Sequence, residues 1–145
     1  MSLHLELKWV PDLRFQHPAA LLVSGTTGAG KSHWVKLLIE NDGIKGDIEK
    51  IYYFMPILEN INISPNANQQ LFLMEGMPTR SWVDDTFKVN QDAKTLIVVD
   101  DQFSKCVQDQ VIEHLLTFGR RHYGLSLIFI AQNFYEKSKN SRTLR

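Results

Sequence analysis

Three short runs of consecutive apolar residues occur along the chain, at residues 19–23, 95–99 and 125–131. Such runs are typical of buried strands, and those at 95–99 and 125–131 predict strands that are buried on both faces of a sheet. A helix that extends to about residue 122 is predicted by the helical spacing of Val107, Val111, Leu115 and Phe118. Strands that alternate with helices predict an α/β domain with a mostly parallel sheet and helices on both faces.

Weaker patterns predict the remaining elements. Residues 3–9 alternate apolar with polar side chains and predict an N-terminal edge strand, so that residues 1–18 form this strand and a connector. Shorter strands are predicted at residues 51–55 and 71–74, with a surface loop at 57–70 between them. Residues 79–91 favour a short helix around Trp82 and Phe87. Trp34 and Trp82 are expected to lie in the core and not to serve as base-stacking platforms.

Composition limits the class of protein. The chain has 145 residues, of which 43% are hydrophobic, enough for one compact domain and one core. Its 16 basic and 16 acidic side chains balance, whereas a protein that wraps nucleic acid with its whole surface should be more basic. The lone Cys106 excludes an intramolecular disulfide, and no apolar stretch has membrane-spanning length. We therefore expect a soluble intracellular protein.

A glycine-rich loop follows the first apolar run and precedes a segment that we expect to be helical as far as the turn signal Asn41-Asp42-Gly43. It matches the pattern G-x-x-x-x-G-K-S through Gly25, Thr26, Thr27, Gly28, Ala29, Gly30, Lys31 and Ser32. When such a loop connects a strand to a helix, its backbone N–H groups form a binding site for a triphosphate. Lys31 then reaches the β- and γ-phosphates, and the Ser32 hydroxyl is a ligand for Mg²⁺.

Two carboxylates, Asp100 and Asp101, follow the apolar run at residues 95–99. The carboxyl ends of parallel strands meet at the edge where the glycine loop also lies. Asp100 is therefore the candidate that holds Mg²⁺ opposite Ser32, the Walker B position, and Asp101 the candidate that activates water. The alternative is that acidic residues end this strand only because the chain reaches solvent there.

Three further polar residues are candidates near the phosphates. Gln132 follows the run at 125–131, either as a sensor of the γ-phosphate or as an ordinary polar strand end. Arg120 and Arg121 end the preceding helix, where they either stabilise its C-terminus or supply an arginine finger to a neighbouring subunit. The basic tail, residues 133–145, is either solvated or in contact with a nucleic-acid backbone.

The pattern excludes one class of nucleotide-binding protein. A GTPase needs Asp-x-x-Gly after the second motif, whereas Asp100 is followed by Asp101-Gln102-Phe103, and no Asn-Lys-x-Asp occurs. A nucleoside or nucleotide kinase stays possible, although an Arg-rich lid is not apparent. Both motifs, with a strand that ends in Gln132, are typical of a ring ATPase, in which an extra strand lies between the strands that carry the two motifs.

Five segments make a resemblance specific. They read RFQHP at residues 14–18, leading into LVSGTTGAGKS at 22–32, EGMP at 75–78, FGRRH at 118–122 and LSLIFIAQNF at 125–134. Together they resemble the viral branch of the FtsK–HerA superfamily, the genome-packaging ATPases of poxviruses, other large DNA viruses and Polinton (Maverick) transposons.

The resemblance implies a P-loop NTPase fold of the RecA-like, ASCE type spanning residues 1–145, with ATP and Mg²⁺ as cofactors. It implies a homo-oligomeric ring at a capsid or portal vertex that drives double-stranded DNA into a capsid inside the infected cell. In this family Lys31 and Ser32 bind phosphate and Mg²⁺, and Asp100 binds Mg²⁺. Asp101 activates water, Gln132 is the sensor, and Arg120 or Arg121 is the trans-acting arginine.

Two departures from the family define what else the chain could be. Many members carry Glu at the position of Asp101. Aspartate has a shorter side chain than glutamate, so it reaches less far towards the water that it would activate. The family also continues with at least one more strand, so this chain looks short at its C-terminus, and the glycine-loop strand is expected to have an exposed edge. A fragment that binds nucleotide without turnover is therefore an alternative to the packaging motor.

Overall fold

The computed structural model describes residues 13–26, 28–89, 93–100, 109–119 and 123–132, with the backbone alone for Val89 and Gln132. The predicted strand at 3–9 and the basic tail lie outside these residues. The strands are β1 (Phe15–Gln16), β2 (Ala20–Gly25), β3 (Ile44–Lys45), β4 (Lys50–Met55), β5 (Gln70–Glu75), β6 (Thr95–Asp100) and β7 (Leu125–Gln132). The helices are α1 (Lys31–Glu40), α2 (Arg80–Val89) and α3 (Gln110–His114), which continues as a π-helical turn, Leu115–Gly119.

Five strands form one parallel sheet in the order β2-β7-β6-β4-β5. The two short strands β1 and β3 pair separately, also in parallel. All five carboxyl ends therefore lie at one edge of the large sheet. The predicted parallel α/β sheet is confirmed, and β7 lies between the glycine-loop strand β2 and the acidic strand β6.

Helices cover both faces of the sheet because its central strands are apolar on both sides. On one face, the odd positions of β4 and the even positions of β6 and β7 pack against Val35 and Ile39 of α1. The opposite positions pack against α2 and α3 in a second cluster that contains Val83, Phe87 and Ile112. Burial of apolar side chains on both faces explains why β6 and β7 read as continuous apolar runs.

Strand β2 is less buried than its sequence predicts. The run at 19–23 was expected to form a buried strand, but Leu22 is 47% exposed and alternate positions along β2 face solvent. Leu21 and Val23 pack against the α1 cluster, whereas no helix among the described residues covers the other face of β2. Within the described residues β2 is also an edge strand.

Helix α1 ends where the turn signal predicts. The backbone N–H of Asn41 and its side-chain amide both donate to the Leu37 carbonyl, and Asp42 adopts a positive φ of 53°. One expectation for this helix is wrong, since Trp34 is 43% exposed and contacts Phe15 edge-on instead of lying in the core. The other tryptophan that was expected in the core, Trp82, packs against Tyr52, Phe54 and Phe87.

The predicted helix between β6 and β7 is confirmed for residues 110–119, and the rest of its range lies outside the described residues. Asp109 caps α3 because its carboxylate accepts hydrogen bonds from the backbone N–H groups of Val111 and Ile112. Leu115 is fully buried, as the helical spacing requires. None of the helices in the described ranges is long and apolar enough to cross a membrane.

The connector before β2 is tied to the middle of the sheet by a buried hydroxyl. Ser126 of β7 is fully buried, and its Oγ accepts a hydrogen bond from the Ala19 N–H at 3.0 Å and lies 2.6 Å from His17 Nδ1. Burial, followed by the positive charge of Lys94, holds the pKa of His17 below its usual 6.5. The imidazole is therefore kept neutral, and its Nδ1 shares a hydrogen bond with the serine hydroxyl.

Candidate functional site

A cavity of about 510 Å³ opens at the carboxyl edge of the sheet, on the face that α1 covers. The glycine loop and the first residues of α1 form one wall, and Asp100 and Tyr53 lie at its base. The opposite wall is the segment after β4, which includes Pro56 and Glu59. This cavity therefore coincides with the position at which the sequence predicts a phosphate site.

The glycine loop owes its shape to two residues with positive φ. Gly28 has a φ of 83° and Gly30 a φ of 88°, values that side chains with a Cβ rarely adopt. Between these two glycines, the N–H of Ala29 donates to the carbonyl of Thr26 at 3.1 Å. Gly30 is then the N-cap of α1, and Lys31 is the first residue of the helix.

The N-terminus of α1 carries positive charge towards the cavity. Its cap makes no side-chain hydrogen bond and its first turn contains no acidic residue, so nothing in the helix itself neutralises the first backbone N–H groups. Those groups and the helix dipole favour an anion at this point. A helix of ten residues that starts from a glycine turn is the arrangement that the motif predicts.

The Lys31 ammonium group folds back onto the glycine loop. Its Nζ donates hydrogen bonds to the carbonyl oxygens of Gly25 at 2.7 Å and Thr26 at 3.0 Å. Gly25 ends β2 and Thr26 directly follows it, so the side chain folds back across the mouth of the loop. The charge is thus held where an anion bound by the loop N–H groups would meet it.

Ser32 and Asp100 are brought together although they are 68 residues apart in the chain. The Ser32 hydroxyl donates to Oδ2 of Asp100 at 3.3 Å. Asp100 ends β6 in register with Ile130 of β7, and its side chain lies on the α1 face. The pairing of these two residues across the end of the sheet is the contact that the Walker B prediction requires.

Sequence reasoning missed Tyr53, which also contacts Asp100. The Tyr53 hydroxyl donates to the same Oδ2 at 2.7 Å, and burial and then this hydrogen bond raise the pKa of Tyr53. The hydroxyl therefore stays protonated at any physiological pH. A tyrosine in a buried strand needs a partner for its hydroxyl, which was a signal that a polar group lies nearby.

Other predicted site residues are only partly described. The backbone of Gln132 ends β7 and pairs in register with Gly25, so its strand position lies beside the glycine loop. Thr27, Asp101, Arg120 and Arg121 lie outside the described residues, and their assigned roles stay predictions.

The donor atoms in the cavity fit one kind of metal. Within the described ranges no group of three or more His, Cys, Asp or Glu side chains could hold an ion. A hydroxyl and a carboxylate are nevertheless the hard oxygen donors that suit Mg²⁺, which usually binds through one or two protein oxygens with phosphate oxygens and waters. Ser32 and Asp100 therefore fit a cation that arrives with a nucleotide.

Comparison with known proteins adds no relative. No protein-family model matches the chain, and no curated protein is significantly similar to it. The interpretation of the site therefore depends on the geometry of these residues and on the resemblance of the motifs.

Proposed function

We propose that the chain is a P-loop ATPase domain of the ring-forming, RecA-like type, and that it serves as a motor subunit that moves double-stranded DNA into a capsid. The observation that carries the ATPase proposal is the contact between Ser32 and Asp100 beside the glycine loop. The resemblance to packaging ATPases supports the DNA-translocating role.

The strand order supports the ring-ATPase type. In ring ATPases an additional strand lies between the strands that carry the two motifs, and β7 has this position between β2 and β6. The same order puts the end of β7, and with it Gln132, between the glycine loop and Asp100. A residue there is adjacent to both parts of the site, which suits the proposed role as a γ-phosphate sensor.

In the proposed mechanism, each described residue acts on the phosphates of ATP. Backbone N–H groups of the loop and of α1 bind the phosphate oxygens, and Lys31 exchanges its two carbonyl partners for the β- and γ-phosphates. Ser32 and Asp100 would hold Mg²⁺, which would neutralise charge on the phosphate oxygens. These contacts position the γ-phosphate and stabilise charge as it develops.

Hydrolysis itself is assigned to residues outside the described ranges. A water oxygen attacks the γ-phosphorus, the bond to the bridging oxygen breaks, and ADP leaves. Asp101 accepts the proton of the attacking water, and Arg120 or Arg121 of a neighbouring subunit stabilises the leaving charge.

Replacement of Lys31 by alanine tests the ATPase proposal. We expect Lys31→Ala to reduce ATP turnover by about 10²- to 10³-fold, because one preorganised charge at the phosphates is removed. The control is Lys36→Ala, which removes a lysine from the same helix away from the residues that line the cavity. Phosphate release is measured with Mg²⁺, with and without duplex DNA. Equal activity of Lys31→Ala and the unchanged protein would refute the proposal.

The same assay separates two alternatives. A nucleoside or nucleotide kinase is a second candidate, since Pro56 and Glu59, which the nucleotide motifs do not include, also line the cavity. Turnover that depends on a small acceptor and ignores DNA would favour the kinase. Calorimetric binding of nucleotide without any turnover would favour a binding fragment.

A further inference from the structure

Asp100 is held by a hydrogen bond that the motif does not include. The Tyr53 hydroxyl donates to Oδ2 at 2.7 Å, and the Ser32 hydroxyl donates to the same oxygen at 3.3 Å. The tyrosine contact is the shorter of the two. Hydrogen bonds to a carboxylate are among the stronger ones in proteins. Because the bond from Tyr53 is shorter than the bond from Ser32, Tyr53 has more influence on the orientation of this carboxylate.

The register of the sheet sets this contact. Tyr53 of β4 is opposite Val98 of β6, and Asp100 lies two residues further along β6 on the same face. Diagonal neighbours of this kind lie within reach of an aromatic side chain. The ring of Tyr53 therefore extends along the sheet towards its carboxyl edge, where the hydroxyl meets the carboxylate.

Tyr53 is itself firmly placed. It is 2% exposed and belongs to the cluster in which the sheet packs against Val35 and Ile39 of α1. Packing in a core keeps a ring in a single rotamer.

We propose that Tyr53 is a positioning residue that orients Asp100 for the cation that accompanies the nucleotide. A carboxylate rotates readily about its terminal torsion, and a donor fixed in the core restricts that rotation. With Oδ2 held by Tyr53, the Ser32 hydroxyl points its proton at Asp100 and keeps its oxygen lone pairs for the cation. This role depends on the proposed function, because it concerns the same site.

Removal of one hydroxyl tests the role. Tyr53→Phe keeps the ring and deletes the donor. The matched control is Tyr52→Phe, a neighbouring tyrosine on the opposite face of β4 whose ring stacks on Phe72 at 4.9 Å. Binding of ATP is measured by calorimetry in the full chain, over a series of Mg²⁺ concentrations and in the presence of a chelator.

We expect Tyr53→Phe to raise the Mg²⁺ concentration for half-maximal enhancement of binding roughly tenfold, as loss of a partner to a metal ligand typically does. Binding of ATP in the chelator should be unchanged, and Tyr52→Phe should match the unchanged protein. In an Asp100→Asn background, Tyr53→Phe should have no further effect, because its influence passes through Asp100.

Three results would overturn this role. If Tyr53→Phe shows the same Mg²⁺ dependence as the unchanged protein, Tyr53 does not position Asp100 and the proposed function stands. If Tyr53→Phe weakens binding equally with and without Mg²⁺, or acts fully in the Asp100→Asn background, the tyrosine acts by another route. If the unchanged protein shows no Mg²⁺-dependent binding at all, the proposed function fails and the role of Tyr53 fails with it.

Discussion

Replacement of Gly30 by alanine should destabilise the fold through the backbone alone. Gly30 has a φ of 88° and a ψ of 21°, and a Cβ built there meets no heavy atom within 4 Å. The left-handed conformation costs a residue with a Cβ about 1–2 kcal/mol. Alanine also makes the unfolded chain less flexible than glycine does, which offsets about 0.4–1 kcal/mol of this conformational cost. We therefore expect Gly30→Ala to lower the free energy of unfolding by about 1 kcal/mol.

Two companion variants separate backbone strain from other effects. Gly25→Ala is expected to be nearly neutral, because Gly25 is outside the left-handed region and its added Cβ would lie 3.4 Å from the Ala29 Cβ, an ordinary contact. Gly30→Asn should recover part of the loss at Gly30, since asparagine tolerates this conformation.

Urea unfolding followed by tryptophan fluorescence measures all three variants. The expected difference of about 1 kcal/mol corresponds to a thermal shift of roughly 2–4 °C for a domain of this size. A Gly30→Ala variant as stable as the unchanged protein would refute the reasoning, and so would a larger loss in Gly25→Ala. Either result would mean that the loop does not have the conformation on which the phosphate cradle depends.

Two further predictions concern the buried hydroxyl in the middle of the sheet. Ser126→Ala leaves the Ala19 N–H and the His17 imidazole without their partner, so we expect a loss of about 1–3 kcal/mol in chemical unfolding. The exposed Ser24→Ala is the control, and an equal loss there would contradict the explanation. The pKa of His17 is lowered in the fold, so the unfolded chain binds the proton first, and stability should decrease as the pH falls below about 6.5. Unfolding curves at several pH values should show a smaller decrease for His17→Gln, and an unchanged slope would exclude His17 as a cause.

The sequence predicts the central strands well because their pattern has one physical solution. Continuous apolar runs such as residues 95–99 and 125–131 must be covered on both sides, and parallel strands with helices on both faces provide this cover. The end of α1 was equally predictable, since the Asn41-Asp42-Gly43 turn acts through local backbone geometry.

Burial at the periphery was harder to predict because it depends on neighbours that are distant in the chain. The run at 19–23 has the same composition as a central strand, yet Leu22 is half-exposed, since no helix of the described residues lies over it. Trp34 was misplaced for a related reason. The spacing of apolar residues cannot reveal that this part of α1 faces Phe15 at the surface and not the sheet.

The candidate site was predictable where a motif and strand ends coincide. The carboxyl-end rule for parallel strands places Ser32 near Asp100, and the structure brings these residues together. Tyr53 was not predictable, because its contact depends on the register between β4 and β6. The roles of Asp101, Gln132, Arg120 and Arg121 stay predictions.

The strand order also bears on synthesis by the ribosome. Strand β7 is the last strand described along the chain, yet it lies between β2 and β6. A nascent polypeptide that has emerged only through β6 contains the glycine loop and Asp100 but lacks the strand that sets the distance between them. The site is therefore expected to form late, and an incomplete polypeptide would be unable to bind nucleotide before β7 has inserted between β2 and β6.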